Sequence, residues 1–142
     1  RAVNDGAIGK NLLEENLNFE TSSQIKDVTQ WDDVNDLIIA SDLGVFDYSS
    51  IRFDYAQTGK PMIFFVPDLE KYKEAREFLI PYEPTAPGPK IETEEELVKK
   101  IKTFDNWFSE FSIAYKDFLH KYTPGEDGQA SKRVNKVVFG IN

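Results

Sequence analysis

Cysteine is absent from the 142 residues, which removes disulfide scaffolds, thiolate metal sites and cysteine nucleophiles together. Histidine occurs once, at His120, so neither a multi-histidine metal cluster nor a two-imidazole mechanism fits within these residues. Positive charge is in deficit: 17 Lys and Arg stand against 25 Asp and Glu, a formal net charge of −8. Such a surface repels phosphate polymers and anionic lipid headgroups, which argues against broad nucleic-acid or membrane binding. No apolar run approaches the ~20 residues of a spanning helix, and no secretory signal pattern is visible. The sequence opens on Arg1 rather than Met, so a segment of a longer protein is expected, in a cytosolic setting by default.

What is present is an ordinary globular balance, 40% hydrophobic and 30% charged residues. A chain of this size is expected to form a single domain over residues 1–142. It buries roughly two-thirds of its unfolded surface, enough to fold without a metal or disulfide.

The pattern along the chain predicts alternating strands and helices. A weak helical pattern surrounds Leu12, Leu13 and Leu17, and Ile25 to Val28 reads as a short strand. Asp32 or Asp33 is placed to cap a helix with Val34, Leu37 and Ile38 on one face. Leu43-Gly44-Val45-Phe46 is apolar without alternation, as in a strand covered on both sheet faces. A helix over Ser50 to Gln57, stopped by Gly59 and Pro61, leads to a second buried-type strand, Met62 to Val66. A helix is predicted over Leu69 to Leu79, and four prolines and Gly88 predict an extended surface loop over Pro81 to Pro89. Thr93-Glu94-Glu95-Glu96 is a capping box for a helix that buries Leu97, Val98 and Ile101. A longer helix, Asp105 to Lys121, gathers Trp107, Phe108, Phe111, Tyr115, Phe118 and Leu119 on one side. Turns at Pro124-Gly125 and Asp127-Gly128 precede a last helix, Ala130 to Val138. The fold class is therefore α/β, a parallel sheet with flanking helices and a helical C-terminal tail.

Chemistry concentrates after the first of these apolar strands. Asp47 falls at its carboxyl end and Ser49-Ser50 at the start of the next helix, where open parallel sheets bind their ligands. A helix start offers unpaired N–H groups and partial positive charge, which suit a phosphate, and two hydroxyls add neutral donors. Asp54, one turn beyond Ser50, is placed to accept from a ligand hydroxyl. From residue types alone the plainer reading stays open, in which a serine merely caps the helix and Asp54 is solvated. A phospho-accepting receiver built on Asp47 and Lys60-Pro61 fits poorly, because Lys60 precedes a strand instead of following one. His120 near the end of the aromatic helix suits a dipole-complementing surface position. The acidic neighbours Asp105, Glu110 and Asp117 argue against a membrane-surface helix there.

Several of these segments together resemble the C-terminal half of the CDP-glycerol glycerophosphotransferase family, the teichoic acid polymerases and their relatives. The likeness is carried by Asp33-Val34-Asn35-Asp36-Leu37, Ser41-Asp42, Asp47-Tyr48-Ser49-Ser50, Phe53-Asp54-Tyr55-Ala56 and Gly59-Lys60-Pro61. It continues through Phe64-Phe65, Asp68-Leu69-Glu70-Lys71-Tyr72, Pro87-Gly88-Pro89, Pro124, Asp127-Gly128 and Ala130-Ser131-Lys132-Arg133-Val134. The resemblance implies a Rossmann-like half of a glycosyltransferase-B fold, the half that binds the nucleotide donor. It implies transfer of glycerol phosphate, or a related alditol phosphate, from a CDP-linked donor to a teichoic-acid-type acceptor, with no cofactor and no metal. The N-terminal half of the same enzyme is an implied partner. The implied setting is the cytoplasm, at the inner face of the bacterial membrane, with membrane contact made only by other parts of the protein.

By motif position, Ser49 and Ser50 would contact the donor phosphates, with Asp47 and Asp54 in the same site. Two departures stand out. The family relies on histidines that Arg1 to Glu20 do not supply, so no catalytic residue is assigned within this chain. Phe46 and Arg52 replace a small polar and an apolar residue, and Arg52 is either a further phosphate contact or exposed. The Pro81 to Pro89 loop either borders the donor site or is a plain connector. Two other classes compete: a non-catalytic nucleotide-binding or interaction module, and the donor half of a nucleotide-sugar glycosyltransferase.

Overall fold

The computed structural model describes residues 26–76 and 78–140, and the chain packs as two units, Arg1–Val34 and Asn35–Asn142. Ile25 and the pattern around Leu12 lie outside the described residues. Lys26 to Val28 form no strand. The Asp27 carboxylate accepts from the Thr29 N–H at 2.9 Å, and Trp31 N–H donates to the Val28 carbonyl. Those bonds turn the chain where the sequence predicted extension.

Helix α1, Val34–Ala40, buries Ile38 and half-buries Leu37. Lys60 closes its end: the ammonium donates to the carbonyls of Ile39 and Ser41 at 2.7 and 2.6 Å, where a cation complements the exposed carbonyl end of a helix. Three strands follow in the order β1 (Gly44–Phe46), β2 (Met62–Phe65), β3 (Lys90–Ile91), all parallel. β2 is central, and its side chains divide the core with a period of two. Met62 and Phe64 enter one cluster with Tyr55, Tyr82, Tyr115 and Phe118, while Ile63 enters the other with Ile91 and Trp107.

β1 departs from the sequence expectation. Gly44 is buried and Phe46 half-buried, but Val45 is 44% exposed, so this edge strand is not covered on both faces. Helix α2, Ile51–Tyr55, continues as a 3₁₀ turn over Ala56–Thr58 and ends at Gly59, whose φ of 70° is the left-handed cap glycine adopts without strain. Helix α3, Leu69–Ala75, is shorter than predicted. The backbone turns extended at Arg76, and Phe78 packs against Tyr48, Tyr72 and Tyr82 instead of prolonging the helix.

The proline-rich segment is the larger correction. It contains a 3₁₀ turn, Glu83–Thr85, and instead of a surface loop it buries Tyr82 and the run from Thr85 through Pro89. Proline lacks an N–H, so burying this backbone strands fewer donors. The Pro89 carbonyl accepts from Phe64 N–H at 2.9 Å and leads into β3, a two-residue strand the sequence pattern did not reveal. Gly88 lies so close to β2 that any Cβ would collide with the Met62 carbonyl oxygen.

Helix α4, Glu94–Lys102, begins as predicted, with Thr93 Oγ1 accepting from Glu96 N–H at 3.3 Å. The predicted long helix is divided into α5 (Phe104–Trp107), a 3₁₀ turn (Phe108–Phe111) and α6 (Ser112–Tyr122). The tighter turn changes the helical phase, so Trp107 and Phe111 reach the Ile63 cluster while Tyr115 and Phe118 reach the Met62 cluster. Tyr115 donates to the carbonyls of Ala56 and Lys60, tying α6 to the turn before β2. His120 is exposed in the last turn of α6. Helix α7, Ala130–Phe139, closes the tail.

Gly88→Ala should lower the stability of the domain by about 1–3 kcal/mol, the scale of an overpacked core. Chemical denaturation measures this, and an unchanged midpoint would mean the segment does not stay seated on β2.

Candidate functional site

β1 and β2 end side by side, and the chain leaves β1 through Asp47, Tyr48, Ser49 and Ser50 before entering α2. The Asp47 carboxylate accepts from Ser49 N–H at 2.7 Å, and Ser49 Oγ accepts from Ile51 N–H at 3.4 Å. Asp and Ser make such local bonds readily, which is why this sequence turns here. An open depression of about 420 Å³ lies at this point. Its walls are Val45, Phe46, Ile51 and Phe65 on the apolar side and Asp47 and Ser49 on the polar side. It therefore sits at the carboxyl ends of β1 and β2, as expected for an open parallel sheet. The exposure of Val45 belongs to it.

The five candidate residues separate on this geometry. Asp47 and Ser49 line the depression. Ser50 is the exposed N-cap of α2, but its hydroxyl makes no cap hydrogen bond. Asp54 is exposed in the first turn of α2 and is not part of the wall. Nor is the helix start a cluster of free amides. The N–H groups of Ser49, Ile51 and Phe53 are bonded within the loop, and five residues align few peptide dipoles.

Arg52 follows neither course open to it from the sequence. It is 6% exposed, with Nη1 donating to the carbonyls of Tyr48 and Ser49 at 2.9 and 2.6 Å. Nε donates to the Thr85 carbonyl at 2.9 Å and Nη2 to Thr85 Oγ1 at 3.0 Å. The guanidinium carbon lies 4.9 Å from the Phe53 ring centre and 5.1 Å from that of Tyr82, within cation–π range. Burial lowers its pKa from the ordinary value, opposed by the charges of Tyr82 and Asp47. An arginine so shifted still carries its charge.

Tyr82 and Thr85 are the residues that motif reading missed. The Tyr82 hydroxyl donates to the Asp47 carbonyl at 2.9 Å across 35 positions of sequence. Tyr48 faces the other way: its ring stacks on Tyr72 at 3.8 Å and its hydroxyl donates to Asp68 at 2.6 Å. Burial, then the Asp68 hydrogen bond and charge, hold the Tyr48 phenol well above its usual pKa. Among the described residues, no group of three His, Asp or Glu side chains is placed to hold a metal ion. No helix there is long and apolar enough to cross a membrane.

Residues 11–140 match the profile of the CDP-glycerol:poly(glycerophosphate) glycerophosphotransferase family. The chain belongs to this family. It is 39% identical over 116 residues to a teichoic acid glycerol-phosphate transferase of Staphylococcus aureus, a match that covers 81% of this chain and 30% of the relative. A teichoic acid poly(glycerol phosphate) polymerase of Bacillus subtilis is 37% identical over 114 residues, 80% of this chain and 15% of the relative. Among solved structures, the wall teichoic acid polymerase TagF soaked with CDPG superposes with a TM-score of 0.75 at 27% identity. That match covers 89% of this chain and 32% of TagF. The chain thus spans a third or less of the relatives it matches. The fold class is the α/β one that the resemblance implied, a parallel sheet with flanking helices like the matching part of TagF.

Burial pushes the Tyr82 phenol up to about 12, against the opposing charge of Arg52. Its folded pKa lies above the unfolded value of 10.0, so its contribution to stability is complete below pH about 10 and drains away as pH rises through about 12. Ultraviolet phenolate titration should show Tyr82→Phe removing one late-ionising group. A lost group that ionised near pH 10 instead would mean Tyr82 is not buried against Arg52.

Proposed function

We propose that this chain supplies the donor-binding half of a transferase. That enzyme would move glycerol phosphate, or a related alditol phosphate, from a CDP-activated donor to a teichoic-acid-type polymer. The observation that carries the reading is the depression at the carboxyl ends of β1 and β2, lined by Asp47 and Ser49, in a member of this family. The relatives support it by name, since they include both glycerol-phosphate and ribitol-phosphate polymerases.

Ser49 and Ser50 offer neutral hydroxyl donors to the donor's phosphates at the rim. Asp47 suits a different part of the ligand: a carboxylate repels phosphate and accepts from a sugar or alditol hydroxyl. In this reading an acceptor hydroxyl attacks the β-phosphorus in line, the new O–P bond forms as the diphosphate bridge breaks, and CMP departs. The acceptor's proton goes to a base outside this chain's assigned residues, contributed by the N-terminal half of the enzyme. Hydrogen bonds from the serines to the phosphate of the departing CMP lower the barrier as charge grows there. The reaction draws no redox cofactor or metal from this chain. The setting is the inner face of the cell membrane, reached through other parts of the protein.

In the protein encoded by the natural reading frame, Ser49→Ala should weaken donor binding by about 1–2 kcal/mol, the scale of a hydrogen bond to a charged group. Titration with CDP-glycerol should move the amide resonances of Asp47 and Ser49 more than that of Asp54. Unperturbed resonances at saturating donor, with no turnover of any CDP-alditol, would overturn the reading.

A further inference from the structure

The loop that carries Asp47 and Ser49 is held from behind by two side chains. The carbonyls of three successive residues accept from buried donors: Asp47 from the Tyr82 hydroxyl, Tyr48 and Ser49 from the Arg52 guanidinium. The same guanidinium is anchored on the Thr85 carbonyl and hydroxyl, and the Thr85 hydroxyl in turn donates to the Tyr82 carbonyl. Thr85 and Tyr82 are wholly buried. With its carbonyls turned toward the core, the loop presents the Asp47 and Ser49 side chains to the depression. Arg52 itself is absent from that wall, and its Nε and both Nη atoms are engaged with the protein.

We propose that Arg52 is a positioning residue, whose buried guanidinium clamps the 47–50 loop to Thr85 and thereby sets where Asp47 and Ser49 meet the donor. The role needs a planar fork. One edge of the group serves two adjacent carbonyls and another serves Thr85, which a single ammonium cannot reproduce. The proposal rests on the donor-site reading for its kinetic consequence, while the clamp itself is independent of any ligand.

The test uses the full-length protein with Arg52→Lys and Thr85→Val. Arg52→Lys should raise the donor KM about tenfold, the loss expected when charge-assisted hydrogen bonds are broken. Acceptor KM should stay as in the wild type. Hydrogen exchange should quicken at the amides of residues 47–51, Ser49 above all, with those of β2 unchanged. Thr85→Val keeps the carbonyl and removes one anchor, so it should shift both readouts the same way by less. It carries the test if Arg52→Lys fails to fold. An unchanged donor KM with unchanged exchange at 47–51 would overturn the clamp. So would a loss shared equally between donor KM, acceptor KM and exchange across the whole sheet, the signature of general destabilisation. If the wild type turns over no CDP-alditol, the donor reading fails while the exchange measurement still decides the clamp.

Discussion

A positive charge buried with no carboxylate partner among the described residues organises this domain. Arg52 leaves water for a site where its bonded partners are carbonyl oxygens and a threonine hydroxyl, flanked by the faces of Phe53 and Tyr82. Burying a charge is unfavourable by several kcal/mol unless its hydrogen bonds are made. The arrangement persists because three carbonyl dipoles converge on one planar group. That convergence requires two segments far apart in sequence to stay in register: the loop after β1 and the segment around Thr85. The second is fixed by backbone contact with β2, where Gly88 lets the chain lie against Met62 and Pro89 accepts from Phe64. The shape of the depression thus depends on a proline-rich stretch that does not line it.

The sequence was most legible where a pattern is local. Helix starts and stops at Thr93, Gly59 and Pro61 follow from side-chain and backbone chemistry within a few residues, and the structure places them as expected. The parallel strands 44–46 and 62–65 were readable as apolar runs bounded by turn residues. The placement of Asp47 and Ser49 at the carboxyl end of a parallel strand was readable from the apolar run before them, and both line the depression there. Long-range geometry was not legible. β3 is two residues long, too short for any periodicity, and exists because β2 offers an unpaired edge. The aromatic stretch from Phe104 to Tyr122 carries an unbroken helical pattern, yet two separate clusters demand a change of phase that only the folded sheet defines.

Arg52 illustrates the same limit most clearly. A lone arginine beside two serines and an aspartate reads naturally as a phosphate ligand, since guanidinium groups match phosphate oxygens well. Whether it turns outward or inward is decided by what lies behind it. Thr85, 33 residues later, supplies two acceptors at hydrogen-bonding distance. Nothing in residues 47 to 55 encodes that, and the composition of the proline-rich stretch suggests exposure, not burial.

On the proposed reading, the electrostatics of the depression constrain how an anionic donor is held. Among the described residues its lining includes one carboxylate, one hydroxyl and no cation, within a chain of net charge −8. A diphosphate carries charge of the same sign, and at a few ångströms such repulsion is appreciable even when solvent screens it. Arg52, close behind the loop, has its donors turned to the loop carbonyls and to Thr85. On the proposed reading, this half of the site therefore orients the donor through hydroxyls, apolar walls and a hydroxyl-accepting Asp47. Most of the charge that offsets the diphosphate must come from beyond these six lining residues. A division of labour of that kind fits a chain that spans a third or less of the relatives it matches. It also explains why a surface this acidic is compatible with an anionic substrate.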